Sequence, residues 1–541
     1  MSVINLPEIV LSPELALHKE FYTQWHAIAL VEPQQPRPGG MAPLADRNVG
    51  ILQAIAVLLT TSPGEAVAVS AQTFSKRNVV TYACSPGTAA HAMDTNTFNA
   101  HQIYARRLAY AFDRAAQMPA QIAPDDKARI LDDSMGLVIR GCKAKLLSRV
   151  RKLQETMKKV AYGNRGSGIS GVDGEVPVDA ASLEDYRNYQ YASHLFPLFR
   201  LDAITEEQLE EFASGVMRCR TGRVVSNATR PVMNWLGSFA MFVIKFNAEK
   251  GVRGGGERGG QQGAYDGAEV LGGGLEEVHE SLEESELVKD LYHIVTTCSA
   301  ILKVQHVEMV VGDPGLWKRM VKLAEYAVAL VRILEAVAGK KTELFVKEVC
   351  GPRKAHGWFP RDAHCMVSYY HDKFGGRKFT ADQLYEVFRH PNNFPADRAC
   401  RPYGMFNQVP FTVHPEITLS MYLTRSGHLC HRLERRGTKL RLGVSKPTCW
   451  LCGRWMLALN EAKGVVLLVG GGASQKNVKG WRVPDDAGQL VGGDAVEKAN
   501  SKVFGMVAGM ARTISYEVLK NYGLDASGMF FHRPPSGESG L

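Results

Sequence analysis

Two short stretches, Val413-His414-Pro415-Glu416-Ile417 and Ser445-Lys446-Pro447-Thr448-Cys449-Trp450-Leu451-Cys452, decide how the rest of this chain is read. Between them they offer an imidazole, a pair of thiols and a carboxylate. A zinc ion that activates water takes three N or S ligands from the protein and keeps a fourth position open. His414, Cys449 and Cys452 meet that requirement, and Glu416 is left over to move protons.

The flanking residues place both stretches at strand-to-helix junctions. Phe411, Thr412 and Val413 are aromatic or β-branched, and Pro415 suits the first turn of a helix, where its missing N–H goes unused. Ile417, Leu419, Met421 and Leu423 then predict a buried helix to about residue 424. Residues 440–444 read as a strand, 445–448 as a turn and 449–462 as a helix. A helix N-terminus carries partial positive charge and favours thiolate over thiol. Other readings of the same residues stay open at this level. Cys430, His431, Cys449 and Cys452 would make a closed structural zinc site, and Cys449-Trp450-Leu451-Cys452 has the spacing of a redox pair. Neither uses His414 and Glu416.

At these residues the chain resembles the zinc-dependent nucleic-acid and nucleotide deaminase superfamily. The nearest branch is the fungal-expanded one typified by an Orientia toxin-like deaminase. Residues 413–419 are similar to that branch's Val-His-x-Glu-[Ile/Val]-x-Leu run, and residues 443–452 to its Gly-x-Ser-Lys-x-x-Cys-x-x-Cys run. Thr448 separates Pro447 from Cys449, as a non-proline residue does in this branch, whereas Gly472-Ala473-Ser474-Gln475-Lys476 lacks the histidine relatives carry there. The resemblance implies Zn2+ on His414, Cys449 and Cys452, with Glu416 as the catalytic proton shuttle. It also implies hydrolytic removal of a nucleobase amino group from a nucleoside, a nucleotide or single-stranded nucleic acid. The alternative is a zinc-stabilised interaction protein that has kept the fold and lost the chemistry.

Composition sets the frame. The 541 residues are 45% hydrophobic, enough for more than one core, and the net charge is +9, which permits an anionic partner without requiring one. No secretion signal is read at the start, the apolar run near residues 232–246 is too short to span a bilayer, and ten scattered cysteines suit a reducing compartment. The expectation is a cytoplasmic or nuclear protein with no membrane partner.

The expected fold class is α/β: a cytidine deaminase-like mixed sheet flanked by helices, with a large, mostly α-helical insertion or accessory domain. Residues 1–45 read as a helical lead and proline-rich connector. Residues 46–94 read as a helix plus hairpin, with alternating strands at 66–74 and 79–84 forming the first part of the deaminase sheet. Residues 95–395 read as the helical insertion, containing a glycine-rich flexible linker at 251–274, and residues 396–541 as the second part, with the zinc site and a C-terminal helix from about 494 to 521. A deaminase-like sheet needs a hairpin ahead of the His-x-Glu helix, and the nearest one lies more than 300 residues upstream. The catalytic domain is therefore expected to be split, with 66–74 and 79–84 sharing a sheet with 441–444 and 465–469.

Charge clusters add detail. Lys143, Lys145, Arg149, Arg151, Lys152, Lys158 and Lys159 sit around an apolar seven-residue rhythm from Ile139 to Val160 and read as a basic helix, either a solvated face or one packed on an acidic neighbour, or one that lies on a phosphate backbone. Arg432, Arg435, Arg436, Lys439, Arg441 and Lys446 outweigh Glu434 beside the ligand motifs and would attract a phosphorylated substrate. His356, His364, Cys365 and His371 fit no metal template. Trp450 is open to two readings, a wall of the base pocket or a core residue.

Overall fold

The computed structural model describes residues 10–31, 47–74, 77–85, 95–117, 124–162, scattered positions between 236 and 246, then 282–302, 313–340, 343–349, 355–360, 406–425, 439–463, 466–469, 480–484 and 493–521. The linker at 251–274, Cys430, His431, His364, Cys365 and His371 lie outside the described residues.

In chain order the elements are β1 (Val10–Leu11), α1 (Pro13–Ala16), α2 (Lys19–Val31), α3 (Arg47–Leu58), β2 (Ala66–Phe74), β3 (Arg77–Ser85), α4 (Thr95–Gln117), α5 (Pro124–Gly141) and α6 (Lys143–Tyr162). They continue with α7 (Leu282–Leu302), α8 (Pro314–Val337), β4 (Glu343–Val349), β5 (Ala355–Pro360), β6 (Phe406–Phe411), α9 (Pro415–Arg425), β7 (Lys439–Val444), α10 (Trp450–Lys463), β8 (Val466–Val469) and α11 (Gly493–Asn521). The result is a mostly helical α/β protein with a small mixed sheet flanked by helices.

The sheet has the order β4-β3-β2-β7-β8. The hairpin runs antiparallel from Ala66 opposite Ser85 to Phe74 opposite Arg77. Its β2 strand pairs antiparallel with β7, Ala68 facing Val444 and Val69 facing Gly443. β8 lies parallel to β7 through the α10 crossover. The hairpin thus shares a sheet with the strands around the ligand motifs, although hundreds of residues separate them.

Period-two alternation assigns the two faces. Val67, Val69, Val80 and Tyr82 enter one core with residues of α3 to α8, whereas Ala68, Ala83, Leu440, Leu442 and Val444 enter another with α2, α9, α10 and α11. Small Ala68 and Ala83 let α9 pack onto β2 and β3. On the opposite face α3 is buried nearly all round, by Val49, Leu52, Ala54, Ile55, Ala56, Val57 and Leu58, because it lies between the sheet and α8. Gly443 makes that layer possible: a Cβ there would stand 2.1 Å from the Leu52 carbonyl carbon. Gly443→Ala is expected to cost about 1–3 kcal/mol or more by overpacking, seen as a lowered thermal unfolding midpoint.

Three features add to the sequence expectations. Residues 95–395, read as mostly helical, also hold the strands β4 and β5. β4 pairs parallel with β3 as an edge strand, its Phe345 and Lys347 facing outward, and edge strands need no strong apolar pattern. Second, the strand before His414 is β6, and it belongs to a separate antiparallel sheet β1-β5-β6. Third, the lead is part of the core. Trp25 and Tyr22 of α2 are 1% exposed, and Tyr22 Oη accepts the Val483 amide at 3.0 Å.

Candidate metal centre

His414 stands immediately before α9, and its carbonyl accepts from the amides of Ile417 and Thr418, both at 3.0 Å. Cys449 holds the matching place before α10. Its carbonyl accepts from Gly453 at 3.0 Å, and its sulfur receives the Cys452 amide at 3.5 Å, as a capping oxygen would. Two helix N-termini therefore converge, each contributing partial positive charge where thiolates are needed.

The convergence brings the sequence-predicted ligands together. His414 Nδ1 is 3.6 Å from Cys449 Sγ and 3.2 Å from Cys452 Sγ. Zinc bond lengths to nitrogen and sulfur at a tetrahedral angle require a separation of about 3.6 Å. The three donor atoms lie within 4.8 Å of one another, and Glu416 is not part of that group. Its Oε1 is nevertheless only 3.8 Å from His414 Nδ1, and the residue is buried. The donor set fits zinc, with the carboxylate beside the site and outside the ligand set.

The protonation balance fits the same reading. Burial opposes an imidazolium at His414, but the neighbouring Cys449 and Glu416 lift its pKa to about 10. Burial pushes the Cys449 thiol up, yet hydrogen bonding from Cys452 and the charge of His414 bring it down to about 6. Burial and the adjacent Cys449 raise Cys452. Burial also raises Glu416, and His414 more than offsets this, so the carboxyl lies below its ordinary value. A divalent cation would replace the imidazolium proton as the charge balancing these anions.

A residue missed in the sequence reading completes the site. The 480–484 segment runs beside Thr412, whose amide donates to Gly480 O at 2.9 Å and whose carbonyl accepts from Arg482 at 3.0 Å. This close approach requires glycine, since a Cβ on Gly480 would meet Pro410 O at 2.3 Å. The next residue, Trp481, is fully buried and donates its indole N–H to Cys452 Sγ at 3.2 Å. Such partners orient and tune metal ligands. Trp481→Phe keeps the packing and removes the donor, so zinc affinity should fall about 10–100-fold, measurable by competition with a chromophoric chelator.

Residues 413–485 match the family model described as OTT_1508_deam-like deaminase. Over those residues the match supports a likeness to the toxin-like deaminase family, and the ligand order is consistent with the zinc-dependent cytidine deaminase-like superfamily. The match points to hydrolytic deaminase activity. No curated protein and no solved structure matches the chain.

Other sequence candidates are redistributed. Trp450 is 5% exposed and stacks on Trp25 at 6.0 Å with an interplanar angle of 11°, which makes it a core residue. Arg441 lies on the sheet face away from α9 and α10, lining a cavity of about 350 Å³ under α3. Arg432, Arg435 and Arg436 lie outside the described residues, as does the Lys439 side chain, while Lys446 stands in the ligand loop. Lys145 was expected on a solvated face and is 7% exposed.

A second group, Glu65, Cys84 and His101, also gathers donor atoms within 4.8 Å. His101 Nε2 lies 3.0 Å from Leu59 O, and Glu65 Oε2 accepts the amides of Thr61 and Ser62 at 2.7 and 2.8 Å. These bonds tie the end of α3 to α4 and close the turn that leads into β2.

Proposed function

We propose that the protein is a zinc-dependent hydrolase that removes the amino group of a nucleobase. The observation that carries this reading is the position of Glu416, buried 3.8 Å from the His414 imidazole and outside the group of three clustered donor atoms. A zinc ion on His414, Cys449 and Cys452 would supply Lewis acidity that brings the pKa of water toward neutrality. Glu416 takes a proton from the attacking water as its oxygen bonds to the amino-bearing ring carbon. It passes that proton to the adjacent ring nitrogen, then carries the proton of the newly bonded hydroxyl to the amino group, so that the C–N bond breaks and ammonia leaves as the ring C=O forms. Trp481 holds Cys452 in place through this cycle, and the cores around α9 and α10 fix the two helix ends.

In the same reading the catalytic domain is split along the chain. The hairpin and α3 form its first part, and the segment from β6 onward its second, with the helices α4 to α8 inserted between them. Such an insertion is thermodynamically tolerable, because loop-closure cost grows slowly with length. The test of function is ammonia release by the zinc-loaded chain from nucleosides, nucleoside monophosphates and single-stranded oligonucleotides bearing cytosine or adenine. Release with matching formation of the keto base is expected from at least one. No ammonia from any of them would overturn the proposal.

A further inference from the structure

Lys446 stands in the turn between β7 and α10, three residues before Cys449. That turn is fixed to β2, because Ser445 N donates to Val67 O at 2.9 Å and Val67 N donates to Ser445 Oγ at 2.9 Å. From there Lys446 Nζ reaches Gly64 O at 2.5 Å. The first turn of α6 approaches the same 61–65 segment from the other side. The Lys145 amide donates to Thr61 O at 3.2 Å, and Lys145 Nζ donates to Ser62 O at 3.0 Å. Two ammonium groups from distant parts of the chain are therefore held on carbonyls of one short turn.

Lys145, Arg149 and Lys152 follow the i, i+4, i+7 spacing that places residues on one stripe of a helix. Arg149 is partly compensated by Glu325 at 3.5 Å, with its guanidinium 4.9 Å from the centre of the Tyr326 ring. Among the described residues, no carboxylate lies within ion-pair distance of Lys145, Lys152 or Lys446. The neighbouring acid, Glu65, is committed: Oε2 accepts the amides of Thr61 and Ser62, and Oε1 faces His101 at 3.8 Å.

Lys145 is the telling member. It is 7% exposed, and a buried ammonium without a carboxylate is costly to keep. Each ammonium has three donors, of which the turn carbonyl takes one. Burial, Lys446 and Arg149 lower the Lys145 pKa to about 8, as expected where positive charge is undercompensated. Lys446 ties the cluster to the metal centre, because the turn that carries it leads directly into Cys449 and the α10 N-terminus.

We propose that Lys145, Lys152 and Lys446, backed by Arg149, form a phosphate-binding subsite at the rim of the metal centre, so that the base enters as part of a phosphate-bearing nucleotide unit. This rests on the deaminase reading of the Glu416 site and names its substrate class. The helical region is then part of the substrate site, because α6 contributes three of the four cations. A mononucleotide and a single-stranded polymer both present the required phosphate.

Binding separates this inference from turnover. Uridine and uridine 5′-monophosphate have no exocyclic amino group to remove, so each can be titrated calorimetrically into the zinc-loaded full chain without reaction. The monophosphate should bind about tenfold more tightly than the nucleoside through charge-assisted bonds. Inorganic phosphate should compete for that gain. In Lys152→Gln and Lys446→Gln the advantage should shrink to about threefold or less by loss of those bonds. Lys152 is exposed, so its variant is not exposed to the folding risk of one at Lys145. Replacing the monophosphate by a single-stranded oligouridylate identifies the source of the phosphate: tighter binding of the oligomer marks a polymer, tighter binding of the monophosphate a mononucleotide. Equal binding of nucleoside and both phosphate-bearing ligands, or a phosphate advantage unchanged in both variants, would overturn the subsite. The deaminase reading fails separately, if no amino-bearing counterpart yields ammonia while the phosphate advantage persists.

Discussion

Glu416→Gln should lower turnover by about 10²–10⁴-fold, the usual contribution of general acid–base catalysis, while the zinc content stays at that of the parent protein. The substitution conserves shape and removes the ability to carry a proton. Glu416 suits this role because positive charge beside it favours the carboxylate: in the metal-free chain His414 holds the carboxyl below the ordinary range despite burial, and a divalent cation in place of the imidazolium proton would act in the same direction. The metal should remain because the three donor atoms that cluster belong to His414, Cys449 and Cys452. Metal analysis and an ammonia assay on the same preparation check both halves. Loss of zinc from Glu416→Gln would make the carboxylate a ligand and sink its assignment as the proton carrier.

The second large effect is expected from Cys449→Ser and Cys452→Ser. Each removes a thiolate and leaves a neutral hydroxyl, a poor zinc ligand. Structural zinc sites in small domains have apparent binding free energies of about 10–16 kcal/mol, so losing one ligand should release the metal and much of its stabilisation. Cys452 is fully buried and packs in the core containing Trp455, Leu459 and Trp481. A serine hydroxyl there would also be desolvated, costing about 1–3 kcal/mol if unpaired. Both variants should therefore be zinc-free with a lowered unfolding midpoint. Chelation should bring the parent protein close to the same midpoint, because the stability lost is largely that of the metal. A variant that unfolds like the zinc-loaded parent would show that the cysteine is not a ligand.

Much of the centre was legible in the sequence because its determinants are local. Pro415 after His414, and Pro447-Thr448 ahead of Cys449, mark helix starts, and α9 and α10 begin at Pro415 and Trp450. The hairpin was legible because Val67, Val69 and Val80 face one core while Ala68 and Ala83 face the other. Features made by long-range contacts were not. β4 is an edge strand with Phe345 outward, so its seven residues lack a buried-strand pattern. Trp481 donates to Cys452 across 29 residues of chain, and nothing beside it signals a sulfur partner. Lys145 has the sequence context of a solvated lysine and is buried only because α6 abuts the turn at Thr61 and Ser62.

The central claim is an open three-ligand zinc centre, and zinc X-ray absorption on the full chain addresses it most directly. The expected first shell has two sulfurs at about 2.3 Å, one imidazole nitrogen at about 2.0–2.1 Å and one further light atom, unchanged in Glu416→Gln. A shell with three sulfurs, as a closed site recruiting Cys430 would give, or one without histidine nitrogen, would contradict it.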